Sequence, residues 1–295
     1  MSDALTYQKN VERAYPGCIV FLLDQSYSMT EGIAGSPKQK REVLATAINR
    51  FISELIISCE KGEEKPRHYF DVGVIGYTTD KSGTPIIHSV LQGALANRDL
   101  VSVVDLFDNP LVVEKRTKKE DDGAGGLIDV EIDFPVWYKT PSDQDMAGTP
   151  MCGALEYAHR ITSEWCAQHS NSFPPVVIHL TDGESTDGDP ESAGTALKSL
   201  ETADGNLLLF NCHLSKTDAP GIVFPTSEGE LPNDDYARLL FRMSSPLPQK
   251  LLQMAEVKGI QAPSGARGMM FNADSTRVLM LISVGTAIAA AQNLR

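Results

Sequence analysis

The sequence predicts an α/β protein built on a doubly wound, mostly parallel sheet flanked by helices, with a β-hairpin inserted into it. Three observations predict this class. Two runs, Cys18-Ile-Val-Phe-Leu-Leu23 and Pro175-Val-Val-Ile-His-Leu180, are almost continuously apolar, the pattern of strands covered on both faces. Segments of helical period fall between such runs, as parallel strands joined by crossovers require. A chain of 295 residues, 42% hydrophobic and 22% charged, is large enough for one sizeable core and ordinary in composition for a globular protein. A single domain over residues 1–295 is expected, with insertions at about 105–140 and 216–246.

The first unit is strand, polar loop and long helix. After the Cys18 strand, Ser36-Pro37-Lys-Gln39 predicts a helix start, with serine as cap, proline at the first helical position and glutamine three past the cap. Val43, Leu44, Ala47, Ile48, Phe51, Ile52, Leu55 and Ile56 then keep one apolar face, and the helix should end near Lys61-Gly62. Strands follow at Tyr69–Tyr77 and, shorter, at Ile86–Leu91. Leu111–Thr117 and Leu127–Phe134 flank an acidic, glycine-rich tip. In the second run Ile128, Val130, Ile132 and Phe134 alternate with acids, which predicts a half-exposed antiparallel arm. Its tip reads either as a partner contact or as a solvated loop.

Alternation then resumes. Gly148-Thr149-Pro150 opens a helix to about Gln168, with Leu155, Ala158, His159 and Thr162 on one stripe. The Pro175 strand runs into Thr181-Asp182-Gly183-Glu184, a helix follows near Glu191–Thr202, and a strand at Asn206–Leu214. A loop with Pro220, Pro225 and Pro232 leads to a short helix near Asp234–Met243. Another covers 247–257, Arg267–Asn272 reads as an edge strand, and a last helix begins near Ser275.

With 26 Lys and Arg against 39 Asp and Glu, the formal charge is −13, which argues against nucleic acid or an anionic membrane as partner. Cys18, Cys59, Cys152, Cys166 and Cys212 are scattered and form no C-x-x-C, so buried reduced thiols are expected. Residues 1–17 have no apolar core of a secretory signal. The uncharged stretch 278–294 is interrupted by Ser283, Gly285 and Thr286, which fits a packed helix better than a membrane span. A cytoplasmic location is the expectation.

The chemistry gathers where strands end. Asp24, Ser26 and Ser28 are spaced i, i+2, i+4, which in extended backbone puts one carboxylate and two hydroxyls on one side. For this motif alone, a polar turn and a site for a small hard cation fit equally well. In a doubly wound sheet, ligand sites form outside the carboxyl ends of strands. Asp182 stands at the end of the second buried strand, and Thr149 stands at a helix start whose loop reaches the same edge. Separately, Thr149 fits a helix cap and Asp182 a turn residue; together the five favour a metal site, for which Mg²⁺ or Mn²⁺ suits the oxygen donors. Glu184 fits either a supporting acid or a solvated side chain.

Enzymatic readings have less behind them. A phosphatase with an aspartate nucleophile needs a second acid two residues on, where this chain has Ser26. No G-x-S-x-G, Walker A or H-E-x-x-H motif occurs. His159, His179 and His213 lie within predicted elements as packed core residues, and His68, His88 and His169 read as peripheral. A metal-dependent phosphoester hydrolase using the same oxygens is the alternative function, and a vestigial metal site with binding elsewhere is the third.

On Asp24-Gln-Ser26-Tyr-Ser28, Thr149 within Gly-Thr-Pro-Met and Asp182 within Thr-Asp-Gly-Glu, the chain resembles the von Willebrand factor A (VWA) domain family and its metal-ion-dependent adhesion site, MIDAS. The resemblance covers residues 15–215 well and 245–295 in element order. It implies a Rossmann-like fold, with metal roles for Asp24, Ser26, Ser28, Thr149 and Asp182. The serines would bind the ion directly, the aspartates largely through water, and a partner's carboxylate would complete the shell. It further implies a non-catalytic adaptor of the intracellular bacterial type. Such adaptors serve AAA+ ATPases or kinase and phosphatase pairs, including those of stress-response and tellurite-resistance clusters.

Overall fold

A computed structural model describes residues 6–34, 36–121, 126–141, 146–214 and 220–289. In chain order the elements are β1 (Gly17–Asp24), α1 (Lys40–Glu60), β2 (Phe70–Thr79), β3 (Pro85–Ser89), β4 (Val101–Ser102), α2 (Val103–Asp108), β5 (Val112–Asp121) and β6 (Leu127–Val136). Then come α3 (Met151–Gln168), β7 (Val176–Thr181), α4 (Glu191–Ser199), β8 (Glu201–Thr202), β9 (Gly205–Asn206) and β10 (Leu208–Leu214). The chain continues with β11 (Ile222–Val223), α5 (Asp235–Met243), α6 (Gln249–Val257), β12 (Met269–Ala273) and α7 (Ser275–Gly285).

The central sheet runs β11-β12-β10-β7-β1-β2-β3, with β4 also paired to β2. The five strands β12, β10, β7, β1 and β2 are mutually parallel, while β11, β3 and β4 are antiparallel additions. The expected α/β class with a mostly parallel, helix-flanked sheet is what the chain forms. Every residue of β1 and β7 is buried, as their unbroken apolar runs require. Along β1 the side chains alternate between two cores. Ile19, Phe21 and Leu23 pack with the α1 and α7 side, including Ile48, Ile52 and Leu281. Cys18, Val20 and Leu22 pack with α3, α4 and α5, including Leu155, Leu197 and Leu240.

Strand order reverses at β1. From it the chain builds outward through β2 and β3 on one side, and through β7, β10 and β12 on the other. The carboxyl ends of β1 and β7 are adjacent, with Leu23 opposite Leu180 in register, so a crevice opens between the loops that leave them.

Several expectations shift. The long helix begins at Lys40, not after Ser36: an antiparallel bridge pairs Gln39 with Gly32 and keeps it out of the helix, and the Gln39 N–H donates to the Glu42 carboxylate at 3.0 Å. Lys61 ends it in the left-handed region at φ 50°. The strand near Arg267–Asn272 is not the edge, because the proline-rich loop contributes β11 outside it. Within 216–246, α5 is amphipathic and buries Tyr236, Leu240 and Phe241 in the second core. His159 is half-buried rather than part of the buried stripe of Leu155, Ala158 and Thr162.

The arm forms as an antiparallel ribbon, β5 with β6, from Val112 opposite Val136 to Asp121 opposite Leu127. Most of its tip, residues 122–125, lies outside the described residues, as do 216–219 of the second expected insertion; the last helix ends at Gly285. Where the ribbon rejoins the body, the buried Asn49 of α1 clamps the chain. Its Oδ1 accepts from the N–H groups of Trp137 and Tyr138 at 2.8 and 3.1 Å, and its amide donates to the Tyr138 carbonyl at 2.8 Å. All five cysteines are free thiols, four buried and Cys152 half-buried.

Candidate metal centre

At the carboxyl end of β1, Asp24 is 1% exposed and receives two neutral donors. The Ser26 N–H donates to Oδ1 at 2.8 Å, and the Thr181 hydroxyl donates to Oδ2 at 2.7 Å. The first bond closes a local turn, typical of aspartate leaving a strand. Ser26 and the short helical turn after it bring the Ser26 and Ser28 hydroxyls to 3.1 Å of one another. Ser28 then donates to Asp182 Oδ1 at 2.7 Å, across 154 residues of sequence. Four of the five residues expected from sequence thus form one continuous hydrogen-bonded cluster over the β1 and β7 ends.

Thr149 is 4% exposed and comes to the same rim by another route. Its N–H donates to the Thr186 hydroxyl at 2.9 Å, and the Thr186 N–H donates back to its carbonyl at 2.9 Å, which pins the α3 start to the loop after β7. Its own Oγ1 lies 3.6 Å from where a side chain at Gly183 would begin, beside Asp182. Among the described residues that hydroxyl makes no hydrogen bond to the rest of the cluster. Glu184 is exposed and lines a shallow groove with Asp189, Asp234, Tyr236 and Arg242, outside the cluster itself.

Three participants were not singled out from sequence. Lys40, the first residue of α1, is 3% exposed and places Nζ 2.5 Å from Asp182 Oδ2, whose side chain is 1% exposed. The same ammonium donates to the Ser28 carbonyl at 3.4 Å and pairs with Glu31 at 3.6 Å. Thr181 is the donor to Asp24 already described. Tyr236 of α5 is buried, and its hydroxyl faces the Thr181 side chain. A signal for Lys40 existed: it precedes Leu44 by four residues, on the apolar stripe of α1, where a lysine is out of place.

Electrostatics show a shortage of positive charge around Asp24. Burial, followed by the negative charge of Asp182, pushes its carboxyl up to about 6. Burial also raises the Tyr236 hydroxyl well above its ordinary value, and the charges of Asp24, Asp182 and Glu184 add to this. The nearby histidines are committed to packing. His179 is fully buried, with its ring nitrogens 2.6 Å from the Tyr77 hydroxyl and 2.9 Å from Asn211 Oδ1, and burial lowers it to about 4. His213 stacks on Phe271 at 4.4 Å.

The donor set fits a small hard divalent ion. It consists of the carboxylate oxygens of Asp24 and Asp182 and the hydroxyls of Ser26 and Ser28, drawn together by the bonds described above. No group of three or more His, Cys, Asp and Glu side chains suited to a metal occurs among the described residues. An ion here would therefore lean on hydroxyls, with Ser26, Ser28, Thr149, Asp24 and Asp182 available to hold it.

No protein-family model matches the chain, and no curated protein matches it. Among solved structures it is similar to the pilus adhesin SpaC of Lactobacillus rhamnosus GG, at 14% identity over 93% of this chain and 31% of that one, with a TM-score of 0.47. It is also similar to the manganese-loaded TRAP protein of Plasmodium vivax, at 13% identity over 69% and 59% of the two chains, TM-score 0.32. The pilus adhesin RrgA of Streptococcus pneumoniae matches at 16% identity over 60% and 22%, TM-score 0.30. This chain spans less than two thirds of the length of each of these. No helix among the described residues is long and apolar enough to cross a membrane.

Proposed function

We propose that this chain is a protein-binding adaptor that holds a divalent cation, Mg²⁺ or Mn²⁺, at the β1 and β7 rim and uses it to grip an acidic group of a partner. The observation that carries this reading is the unbroken run from Asp24 through Ser26 and Ser28 to Asp182, assembled from two loops at the reversal of strand order. A bound ion would supply an electrophilic centre toward an outside carboxylate. The chain's own work is positional. Asp24 fixes the Ser26 backbone, Thr181 fixes Asp24, and the Thr186 clip holds Thr149 at the same edge. With hydroxyls as main donors, little anionic charge sits on the ion, so it would stay attractive to a partner's acid.

The engagement of both His179 ring nitrogens, by Tyr77 and Asn211, favours binding over catalysis, since that imidazole is not free to act as a base. A cytoplasmic location, membership of the VWA family and service to a kinase, phosphatase or AAA+ ATPase system belong to the same proposal. It is tested by selecting a random peptide display library on the immobilised chain in Mg²⁺. Retained peptides should share an Asp or Glu and elute with chelator. Retained peptides without an acid, or retention that chelator does not touch, would contradict the reading.

A further inference from the structure

Lys40 has no reason of its own to sit where it does. A cation in the first turn of a helix faces the positive end of the backbone dipoles, which disfavours it there. A lysine that is 3% exposed also gives up most of its hydration. Yet its ammonium is surrounded by oxygens of the cluster: Asp182 Oδ2 at 2.5 Å, the Ser28 carbonyl at 3.4 Å and Glu31 at 3.6 Å. It contacts the two loop residues that link β1 to β7. Asp24, by contrast, has only neutral donors.

We propose that Lys40 sets the charge of this site, holding its affinity for a divalent ion down and leaving the loaded site positive toward an acidic partner. The role rests on the cation reading above. Asp24 and Asp182 bring two negative charges and Lys40 one positive, so the site carries one net negative charge before loading. A divalent ion turns that into one net positive charge, which attracts a carboxylate. Without Lys40 the same two aspartates would hold the ion more tightly and neutralise it, and nothing net would remain to draw an outside acid. Glu31 is 42% exposed and screened by solvent, and it is present in either case, so the difference of one charge stands. A lysine is suited to this because its compact ammonium, on a flexible stem, reaches Asp182 from the start of α1.

The alternative is a purely structural ion pair that anchors α1 to the loop after β7. The two roles separate on metal affinity. Mn²⁺ is titrated calorimetrically into the wild type, Lys40→Gln and Lys40→Met, with Asp24→Ala as the blank for this site. Circular dichroism and melting in chelator verify folding. Lys40→Gln keeps a donor toward Asp182 while removing the charge, so it decides the matter if Lys40→Met does not fold. The proposal expects Mn²⁺ to bind the neutral variants about tenfold more tightly than the wild type. It also expects relaxation of ¹³C-acetate by the bound Mn²⁺ to be weaker in them. A folded Lys40→Gln whose Mn²⁺ affinity equals or falls below that of the wild type overturns the charge-setting role and leaves the cation site standing. Absence of Mn²⁺ binding in the wild type and in both Lys40 variants overturns the cation reading, and the role of Lys40 with it.

Discussion

Asp24 is the residue at which function and stability pull apart. Its folded-state value near 6 lies above the 3.8 of an unperturbed aspartate, so the folded protein holds that proton more tightly than the unfolded chain does. Stability from this group is therefore present at low pH and is lost as pH rises from about 4 through about 6, a cost of up to about 3 kcal/mol at neutrality. Asp24→Asn should melt several degrees higher than wild type in chelator at pH 7.5, while losing divalent binding. An unchanged or lower melting temperature would show that the buried charge is already compensated. His179 acts in the opposite sense over an overlapping window. Burial holds it near 4 against 6.5 in the unfolded chain, so stability falls as pH drops from about 6.5 to about 4. Denaturant unfolding of wild type and His179→Gln across that range should show a smaller acid loss in the variant; parallel curves would mean that His179 does not stay neutral. Legibility at this scale was uneven. Asp24, Ser26, Ser28, Thr149 and Asp182 were readable because each stands at an element end in a recognisable local pattern. Lys40 carried only a weak signal, its place on the apolar stripe of α1; a lysine next to a helix start also reads as solvated, and only the fold brings it against Asp182, 142 residues away.

Among elements, those with strong periodic patterns were predictable and those defined by tertiary contact were not. β1 and β7 were legible because burial on both faces leaves no polar alternation. The start of α1 was missed because Ser36-Pro37 satisfies every local rule for a helix start, yet the Gly32–Gln39 bridge closes the loop on itself and delays the helix by three residues. β11 has only two residues and exists because β12 offers it an edge. The ribbon of β5 and β6 makes an element-scale prediction. Leu127 and Ile128 are 68% and 50% exposed, and its ladder does not join the main sheet. Replacing residues 114–134 with a short turn should shift the melting temperature by less than about 3 °C. Its anchor is a different matter. Asn49→Leu would leave the Trp137 and Tyr138 N–H groups buried without an acceptor and should cost about 2–4 kcal/mol by denaturant unfolding. A large loss on trimming, or none with Asn49→Leu, would reverse the assignment of which part is structural.

In the whole molecule, one topological fact makes the site: strand order reverses at β1, so the loops after β1 and β7 diverge to opposite faces and leave a crevice between them. The helices on both faces bury β1 and β7 completely, which fixes the positions of Asp24 and Asp182 to the rigid core and leaves the oxygens at its rim. The net charge of −13 keeps the molecule away from polyanions and favours cation capture in general, so the site must be distinguished from diffuse attraction. Calorimetric titration of Mg²⁺ and Mn²⁺ into wild type and Asp24→Ala, at a salt concentration that screens the surface, makes that distinction most directly. A single saturable site in the wild type, absent from a folded Asp24→Ala, is the predicted result. Equal binding by the two proteins, or no saturable binding by the wild type, would contradict a metal centre at the β1 and β7 rim.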